Sequence, residues 1–290
     1  MFVSGFTIVR NAIKYDYPLV ESVKSVLPIC DEFIIALGNS EDDTEKLISE
    51  IDSPKIRVIK TVWDDSLRKG GRVLAVETDK AFKAISNEAQ WAFYIQADEV
   101  LHEDGLDKVM QSMQRWQDDK RIEGLLFNYR HFYGSYDYLG DTRRWYRKEV
   151  RVIKNDTNIY SFRDAQGFQK NGKPLKVKEC GAWIHHYGWV KHPEKQQTKQ
   201  KYFHKLWHND DWVKKQVKQT DLFDYREIDS LIRFSGTHPS VIRKRISEKN
   251  WEFHFDQTKQ KLSFKEKLFR LIKKYTGWNI GEYKNYKIVK

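Results

Sequence analysis

Residues 91–104 read WAFYIQADEVLHED. The first five are apolar without a break, and the run stops at Gln96-Ala97-Asp98-Glu99. An unbroken apolar run of that length is what a strand buried on both faces requires. Two adjacent carboxylates directly after a buried strand have poor reason to exist as packing and point to ligand chemistry, although a lone acidic pair is common. In an open parallel sheet, ligands bind beyond the carboxyl ends of the strands. The stretch therefore asks whether other strands end beside it with polar residues of their own.

They do. Residues 5–9 form a short β-rich run that ends at Arg10-Asn11. Residues 33–37 are continuously apolar and lead into Gly38-Asn39-Ser40-Glu41-Asp42-Asp43-Thr44. Residues 56–62 form a third run, followed by Trp63-Asp64-Asp65. Between these runs the apolar spacing is helical over residues 18–26, 44–51 and 71–85, with Pro18 at a first turn. This order predicts an α/β fold, Rossmann-like, with a mostly parallel sheet and helices on both faces. All four polar strand ends would then share one edge. Singly each has a plainer reading: Asp42-Asp43 suits a helix N-terminus, and Asp64-Asp65 suits a solvated turn.

Beyond residue 120 the pattern changes. Strands are expected over residues 124–129, 149–153 and 183–190. Residues 193–229 are polar, rich in Lys and Gln, and read as helical. Residues 263–275, opening at Ser263, read as a basic amphipathic helix with Phe264, Leu268, Leu271, Ile272 and Tyr275 on one face. That helix is either packed with its charges in water or set on an anionic membrane surface. The expected organisation is three segments, 1–120, 121–192 and a mainly helical, basic extension, 193–290.

Composition bounds the function. The chain has 290 residues, 40% hydrophobic and 32% charged, as in a folded globular protein. Residues 1–120 carry 15 Lys and Arg against 22 Asp and Glu, and the remainder carries 37 against 19. Such a basic second half attracts phosphate-bearing partners. Two cysteines, Cys30 and Cys180, are too few for a disulfide framework or a cysteine zinc site, and suit a reducing compartment. The first residues lack the pattern of a secretory leader, and no run of about 18 apolar residues suggests a membrane span. A cytoplasmic protein is expected, peripheral on the inner face of the cytoplasmic membrane if the basic helix meets lipid.

Taken together, residues 5–105 resemble the family 2 glycosyltransferases of GT-A fold, especially cytosolic enzymes that build bacterial lipopolysaccharide core and other envelope glycans. The resemblance rests on VRNA closing the first strand, DEFIIAL followed by Ser40, Asp42 and Thr44, Trp63-Asp64-Asp65, the helix bearing Arg72, and the W-x-F-Y-I-Q-A-D-E strand end. It implies that segment 1–120 binds the nucleotide-sugar and that 121–192 is the acceptor side. It implies a divalent cation, Mn or Mg, on Asp98 with help from Glu99. It implies a donor lying across Val9, Asn11, Asp42, Asp64 and Arg72, and inversion by single displacement with a carboxylate as base.

The chain departs from the family at two points. Gln96 stands where an acidic residue is usual, and Leu37 where Asp is common, which leaves base or ribose recognition to Asn39 or Asp42. In the second half, RVIKN at residues 151–155 is similar to a family strand. FRDAQG at 162–167 lies where many members carry a Val-His-Glu base, so Asp164 is the implied base, with Glu179 behind it. IHHYG at 184–188 resembles a His-Tyr element. Neighbours on a strand point to opposite faces, and His186 fits a ligand role better than His185.

The function expected is transfer of a sugar from a nucleotide-sugar to a glycan or lipid-linked acceptor of the bacterial cell envelope. A nucleotidyltransferase would share the sheet and carboxylates, but the first strand lacks a glycine-rich loop after it. A catalytically inactive glycan-binding relative is a further alternative, given Gln96. Nucleic-acid binding has no motif to support it.

Overall fold

Alternation sorts the apolar residues of the first strands into two sets. Phe33, Ile35 and Leu37 fall in one buried cluster, and Ile34 and Ala36 in another. Trp91, Phe93 and Ile95 divide in the same way from Ala92 and Tyr94. A strand that is apolar at every position has to be covered on both faces. The structure is a computed structural model that describes residues 1–217, 220–277, 281 and 283–290.

In chain order the first elements are β1 (Val3–Val9), α1 (Leu19–Val26), β2 (Glu32–Gly38), α2 (Thr44–Ser49), β3 (Ile56–Thr61), α3 (Arg72–Lys83) and β4 (Trp91–Tyr94). Then come β5 (Glu99–Leu101), α4 (Leu106–Trp116), β6 (Gly124–Tyr133), β7 (Ser135–Gly140), β8 (Lys148–Lys154), β9 (Ile159–Phe162), β10 (Gly167–Lys170) and β11 (Lys173–Trp189). The last are α5 (Pro193–Lys205), α6 (Asp210–Gln216), β12 (Leu231–Arg233), α7 (Arg243–Ser247), α8 (Phe264–Thr276) and β13 (Tyr286–Ile288).

The main sheet runs β3-β2-β1-β4-β8-β6-β11-β10-β9. Its first four strands are parallel. β8 is antiparallel to both neighbours, and β6 and β11 are parallel again. Helices α1, α2 and α4 cover one face; α3 and α5 pack on the other. This is the mixed α/β architecture that was expected, with a parallel half covered by helices on both faces, and it brings the four polar strand ends to one edge. β5 returns antiparallel along β11 and sets Glu99 opposite His186.

One ion pair lies at the seam between the parallel half and the rest. Glu99 and Arg151 have fully buried side chains. Arg151 Nε and Nη2 each donate to a Glu99 oxygen at 2.8 Å. Tyr129 Oη and the Gln96 N–H donate to the same carboxylate, at 2.9 and 3.1 Å. Arg151 Nη1 donates to the carbonyls of Val150 and Gln166.

Several expectations need correction. The helix read over residues 193–229 ends at Lys205, restarts when Asn209 caps α6, and stops at Gln216. The cap is an asparagine accepting from the Trp212 N–H, the signature of a new helix start. The strand read over 183–190 is the end of the 17-residue β11. A register shift between Glu179 and Trp183, with Gly181 at φ +74°, breaks the alternation and hides the first half of that strand. The helix read over 263–275 is present as α8, but its apolar face is not packed. Phe264, Leu268, Leu271 and Tyr275 are exposed. Phe269 lies under Arg143 instead, and ion pairs Arg143–Glu266 and Arg270–Asp141 anchor the helix. Cys30 and Cys180 are free and buried. Among the described residues no helix is long and apolar enough to cross a membrane.

Removing one partner of a buried pair strands the other charge. Arg151→Met is expected to cost about 3–5 kcal/mol in denaturant unfolding, and the joint Glu99→Leu, Arg151→Met variant to recover much of it. A loss below about 1 kcal/mol from the single change would mean that water reaches the pair.

Candidate active site

The carboxyl edge of the parallel strands opens onto a cavity of about 390 Å³. Tyr17, Trp63, Tyr94, Tyr146 and Tyr202 supply aromatic walls, and Arg10, Asp98, Asp164, His186 and Lys199 supply charge or lone pairs. Flat apolar walls with a few convergent polar groups suit a ligand carrying rings and a charged group.

Asp98 comes to the cavity because β5 pairs with β11: its carbonyl accepts the Tyr187 N–H at 2.8 Å. Its carboxylate then meets two groups. Lys199 Nζ donates to Oδ2 at 3.1 Å and to the Gly188 carbonyl at 3.0 Å. His186 Nε2 lies 3.7 Å from Oδ1. Burial works against the Asp98 charge, but the ammonium of Lys199, which both faces and hydrogen-bonds the carboxylate, leads the effects that outweigh it and hold the carboxyl below its ordinary range.

The protonation of His186 follows from its neighbours. His131 Nε2 meets the Tyr146 carbonyl at 2.7 Å and must donate to it. Burial holds His131 neutral, well below its usual pKa, so its Nδ1 is an acceptor. His186 Nδ1, at 3.1 Å, is then the donor. Burial lowers the His186 pKa as well, which leaves Nε2 with a free lone pair facing Asp98. Gly188 keeps the space beside them open: a Cβ there would lie 2.7 Å from both Asp98 Oδ2 and His186 Nε2.

Asp164 lies on the same wall, on a tight loop in which Arg163 and Ala165 have φ of +55° and +61°. Such conformations are costly for side-chain-bearing residues and persist where the surroundings impose them. Arg151 holds this loop through the Gln166 carbonyl at 2.7 Å. Burial raises the Asp164 pKa, against the pull of backbone N–H groups of its own loop.

The other sequence candidates divide. Val9 and Gln96 line the cavity. Asn11, Asn39 and Asp42 stand behind it. Asn11 accepts from the Glu41 N–H, and Asp42 from the Lys14 N–H. Asn39 accepts from Arg10 Nε and from the Trp63 N–H, so it orients two residues that do line the wall. Asp64 and Arg72 are exposed and outside the lining. Asp64 is held to Ser66, which lowers its pKa. Glu99 faces Arg151 rather than the cavity. Glu179 is exposed on β11, bonded to Lys148 at 2.6 Å.

Lys199 and Tyr202 were not singled out from the sequence. The signal was there: the residues α5 buries are Gln196, Gln197, Lys199 and Gln200. A helix that turns its polar side inward has a polar site to face.

No protein-family model and no curated protein matches the chain. Solved structures overlap loosely. TarS of S. aureus matches 70% of this chain at 14% identity and TM-score 0.41, and the chain spans only 39% of that protein. A 4-diphosphocytidyl-2C-methyl-D-erythritol synthase from Anaerococcus prevotii matches 66% of this chain and 89% of its own, at 12% and 0.38. Glucosyl-3-phosphoglycerate synthase from Mycobacterium tuberculosis, solved with Mn²⁺, uridine diphosphate and phosphoglyceric acid, matches 46% of this chain and 43% of its own, at 16% and 0.30. At such identities and scores these overlaps bear on neither reaction nor ligand.

A second histidine group lies on the other side of β11. His185 meets Arg130 and Tyr187, Tyr187 meets His238, and His102 meets Thr237. Burial depresses His185 well below its ordinary pKa, with Arg130, His238 and His102 adding to the effect. Burial likewise brings His238 down to about 4, helped by His102 and Arg130 and opposed by Asp137. Between the ordinary histidine value of about 6.5 and about 4, the unfolded chain binds protons that the folded chain refuses. Stability therefore rises with pH in that window and falls on acidification, by up to about 1.4 kcal/mol per pH unit for each fully buried histidine. Denaturant unfolding at stepped pH checks this; His238→Gln is expected to flatten the slope, and a level profile would contradict it.

Proposed function

We propose that this chain is a glycosyltransferase that moves a sugar, with inversion, from a nucleotide-sugar donor to a glycan or lipid-linked acceptor of the bacterial cell envelope. The observation that carries the reading is the meeting of Asp98, the His186 Nε2 lone pair and Lys199 on an aromatic-walled cavity at the carboxyl end of β4.

Arg10, lying 5.8 Å from the rings of both Trp63 and Tyr202, offers its guanidinium face and charge to the nucleotide, with Tyr202 braced by its stack on Tyr15. Val9 and Gln96 complete that wall, with Asn11, Asn39 and Asp42 holding it from behind. Lys199 stands where the diphosphate of the donor would gather negative charge as the sugar leaves. Asp98 Oδ1 and His186 Nε2 are the protein donors fit for a divalent cation, an oxygen and a neutral imidazole nitrogen beside an open space. Among the described residues no third His, Cys, Asp or Glu joins them, so the other ligands would come from the donor diphosphate and water. When bound, such an ion adds Lewis-acid stabilisation of the leaving diphosphate. Glu99 serves this site as a positioning residue through Arg151.

Asp164 is the base. The acceptor hydroxyl oxygen attacks the anomeric carbon, the bond from that carbon to the diphosphate oxygen breaks, and the hydroxyl proton passes to Asp164. A raised carboxyl pKa favours that acceptance. Asp164→Asn is expected to lower kcat by about 10²–10⁴ with little change in KM for the donor. Glu179→Gln, outside the cavity, is expected to match the parent. Radiolabelled sugar transfer from a panel of uridine and other nucleotide-sugars, with and without Mn²⁺, measures both. Full activity in Asp98→Ala would remove the whole assignment.

We place the protein at the inner face of the cytoplasmic membrane by way of α8. Its exposed Phe264, Leu268, Leu271 and Tyr275 are flanked by exposed Lys265, Lys267 and Lys274, the make-up of an interfacial helix on anionic lipid. Co-sedimentation with phosphatidylserine vesicles is expected to fall sharply in the joint Leu268→Glu, Leu271→Glu variant and at raised salt, with transfer to a soluble acceptor unchanged. Equal sedimentation of parent and variant would exclude this foot.

A further inference from the structure

A second cavity, of about 480 Å³, adjoins the first and shares with it the walls His131, Trp145 and Tyr146. Where the first mixes the cations Arg10, Arg144 and Lys199 with Asp98 and Asp164, the second is lined by Arg130, Arg147, Arg270 and Lys274. Its single lining carboxylate, Asp141, is bonded to Arg270. Arg130 lies over the Trp183 ring at 4.4 Å and meets His185, neither of which neutralises it. Among the described residues, Arg130, Arg147 and Lys274 have no carboxylate at ion-pair distance.

Three polar atoms of lining residues are buried without a hydrogen bond: Thr142 Oγ1, Trp145 Nε1 and Asp141 Oδ1, the other oxygen of that carboxylate being bonded to Arg270. Buried polar groups in native proteins are almost always paired. A cavity bordered by Arg147 and Lys274, which face no carboxylate, and by the unpaired donors Thr142 Oγ1 and Trp145 Nε1 suits an anion that accepts several hydrogen bonds. Planar guanidinium forks match phosphate oxygens in geometry as well as charge.

We propose that this second cavity binds the phosphate group of a phosphorylated saccharide acceptor. The inference rests on the transferase reading for the word acceptor, and on the cavity alone for the phosphate. Seated there, the phosphate carries its saccharide along the His131–Tyr146 wall into the first cavity, where Asp164 lies. The second cavity then selects which molecules are glycosylated, and the first performs the transfer.

The test is isothermal titration of the full chain with inorganic phosphate, glucose 1-phosphate, glucose and glucuronate, each with and without saturating uridine diphosphate. Both phosphates are expected to bind, with glucose undetectable, glucuronate weaker and uridine diphosphate without effect. Arg147→Gln is expected to weaken phosphate binding roughly tenfold or more, Lys274→Gln to weaken it less, and Arg147→Lys to retain part of it. The melting temperature of each variant establishes that it folds. Asp98→Asn, on the other cavity, is expected to leave phosphate binding as it is.

Unchanged affinity in a folded Arg147→Gln overturns the proposal, as does competition between uridine diphosphate and phosphate, which would put the anion in the donor cavity. Glucuronate binding as tightly as glucose 1-phosphate overturns the choice of phosphate. Arg147-dependent binding to phosphatidic acid vesicles, with none to glucose 1-phosphate, overturns the saccharide and assigns the site to a lipid headgroup. If no nucleotide binds at all while Arg147-dependent phosphate binding persists, the anion site stands and the transferase reading alone falls.

Discussion

The pair of Glu99 and Arg151 holds two otherwise separate pieces of the molecule in register. Taking a carboxylate and a guanidinium wholly out of water is expensive, and their mutual attraction offsets that cost only when geometry and remaining hydrogen bonds are complete. Here they are: two parallel contacts at 2.8 Å, a tyrosine hydroxyl and a backbone N–H on the carboxylate, and two carbonyls on the third guanidinium nitrogen. One of those carbonyls belongs to Gln166, and the N–H belongs to Gln96. The loop that carries Asp98 and the loop that carries Asp164 are thus fastened to the same two charges. A hydrophobic replacement could fill the volume. It could not transmit the position of one loop to the other through directed bonds.

Neutralising Glu99 from within has an electrostatic consequence. Two adjacent carboxylates facing one cavity would repel and raise each other's pKa. With Glu99 turned to Arg151, Asp98 is the one of the two that faces the cavity, and the charge bonded to it is that of Lys199. The histidines add no charge of their own, since burial holds His131 and His186 neutral. The hydrogen-bond chain from the Tyr146 carbonyl through His131 aims a lone pair, rather than a proton, at the space beside Asp98. That is the polarity a cation or an electron-poor ligand needs.

The parallel half was legible because its strands are buried on both faces and so read as unbroken apolar runs, each ending at a polar turn. Asp98 was legible for the same reason. The role of Glu99 was not: two neighbouring acids look alike in sequence, and only the alternation of strand faces, combined with an arginine 52 residues away, separates the one that faces inward. Lys199 reaches Asp98 across 101 residues of chain, on a helix whose buried side is glutamine and lysine. Apolar periodicity cannot find such a helix face, because the face is polar by function. The first half of β11 was lost to a bulge, which shifts the phase of alternation midway. In α8 the apolar stripe was read correctly as a stripe, but amphipathicity does not say which side packs. The ion pairs of Arg143 and Arg270 decide that, and they turn the apolar side outward.

The same residues that close the first cavity open the second. His131 carries the lone-pair relay to His186 on one side and forms a wall of the basic cavity on the other; Trp145 and Tyr146 are shared in the same way. β6 makes this arrangement possible, because it lies between β8 and β11 and reaches both cavities with one strand. Arg130 and His131, adjacent on it, point to opposite faces, the former to the ring of Trp183 and the latter to His186. A ligand that spanned the shared wall would lie against His131, the imidazole that fixes the tautomer of His186, so one side chain borders both cavities while the sheet holds it in place.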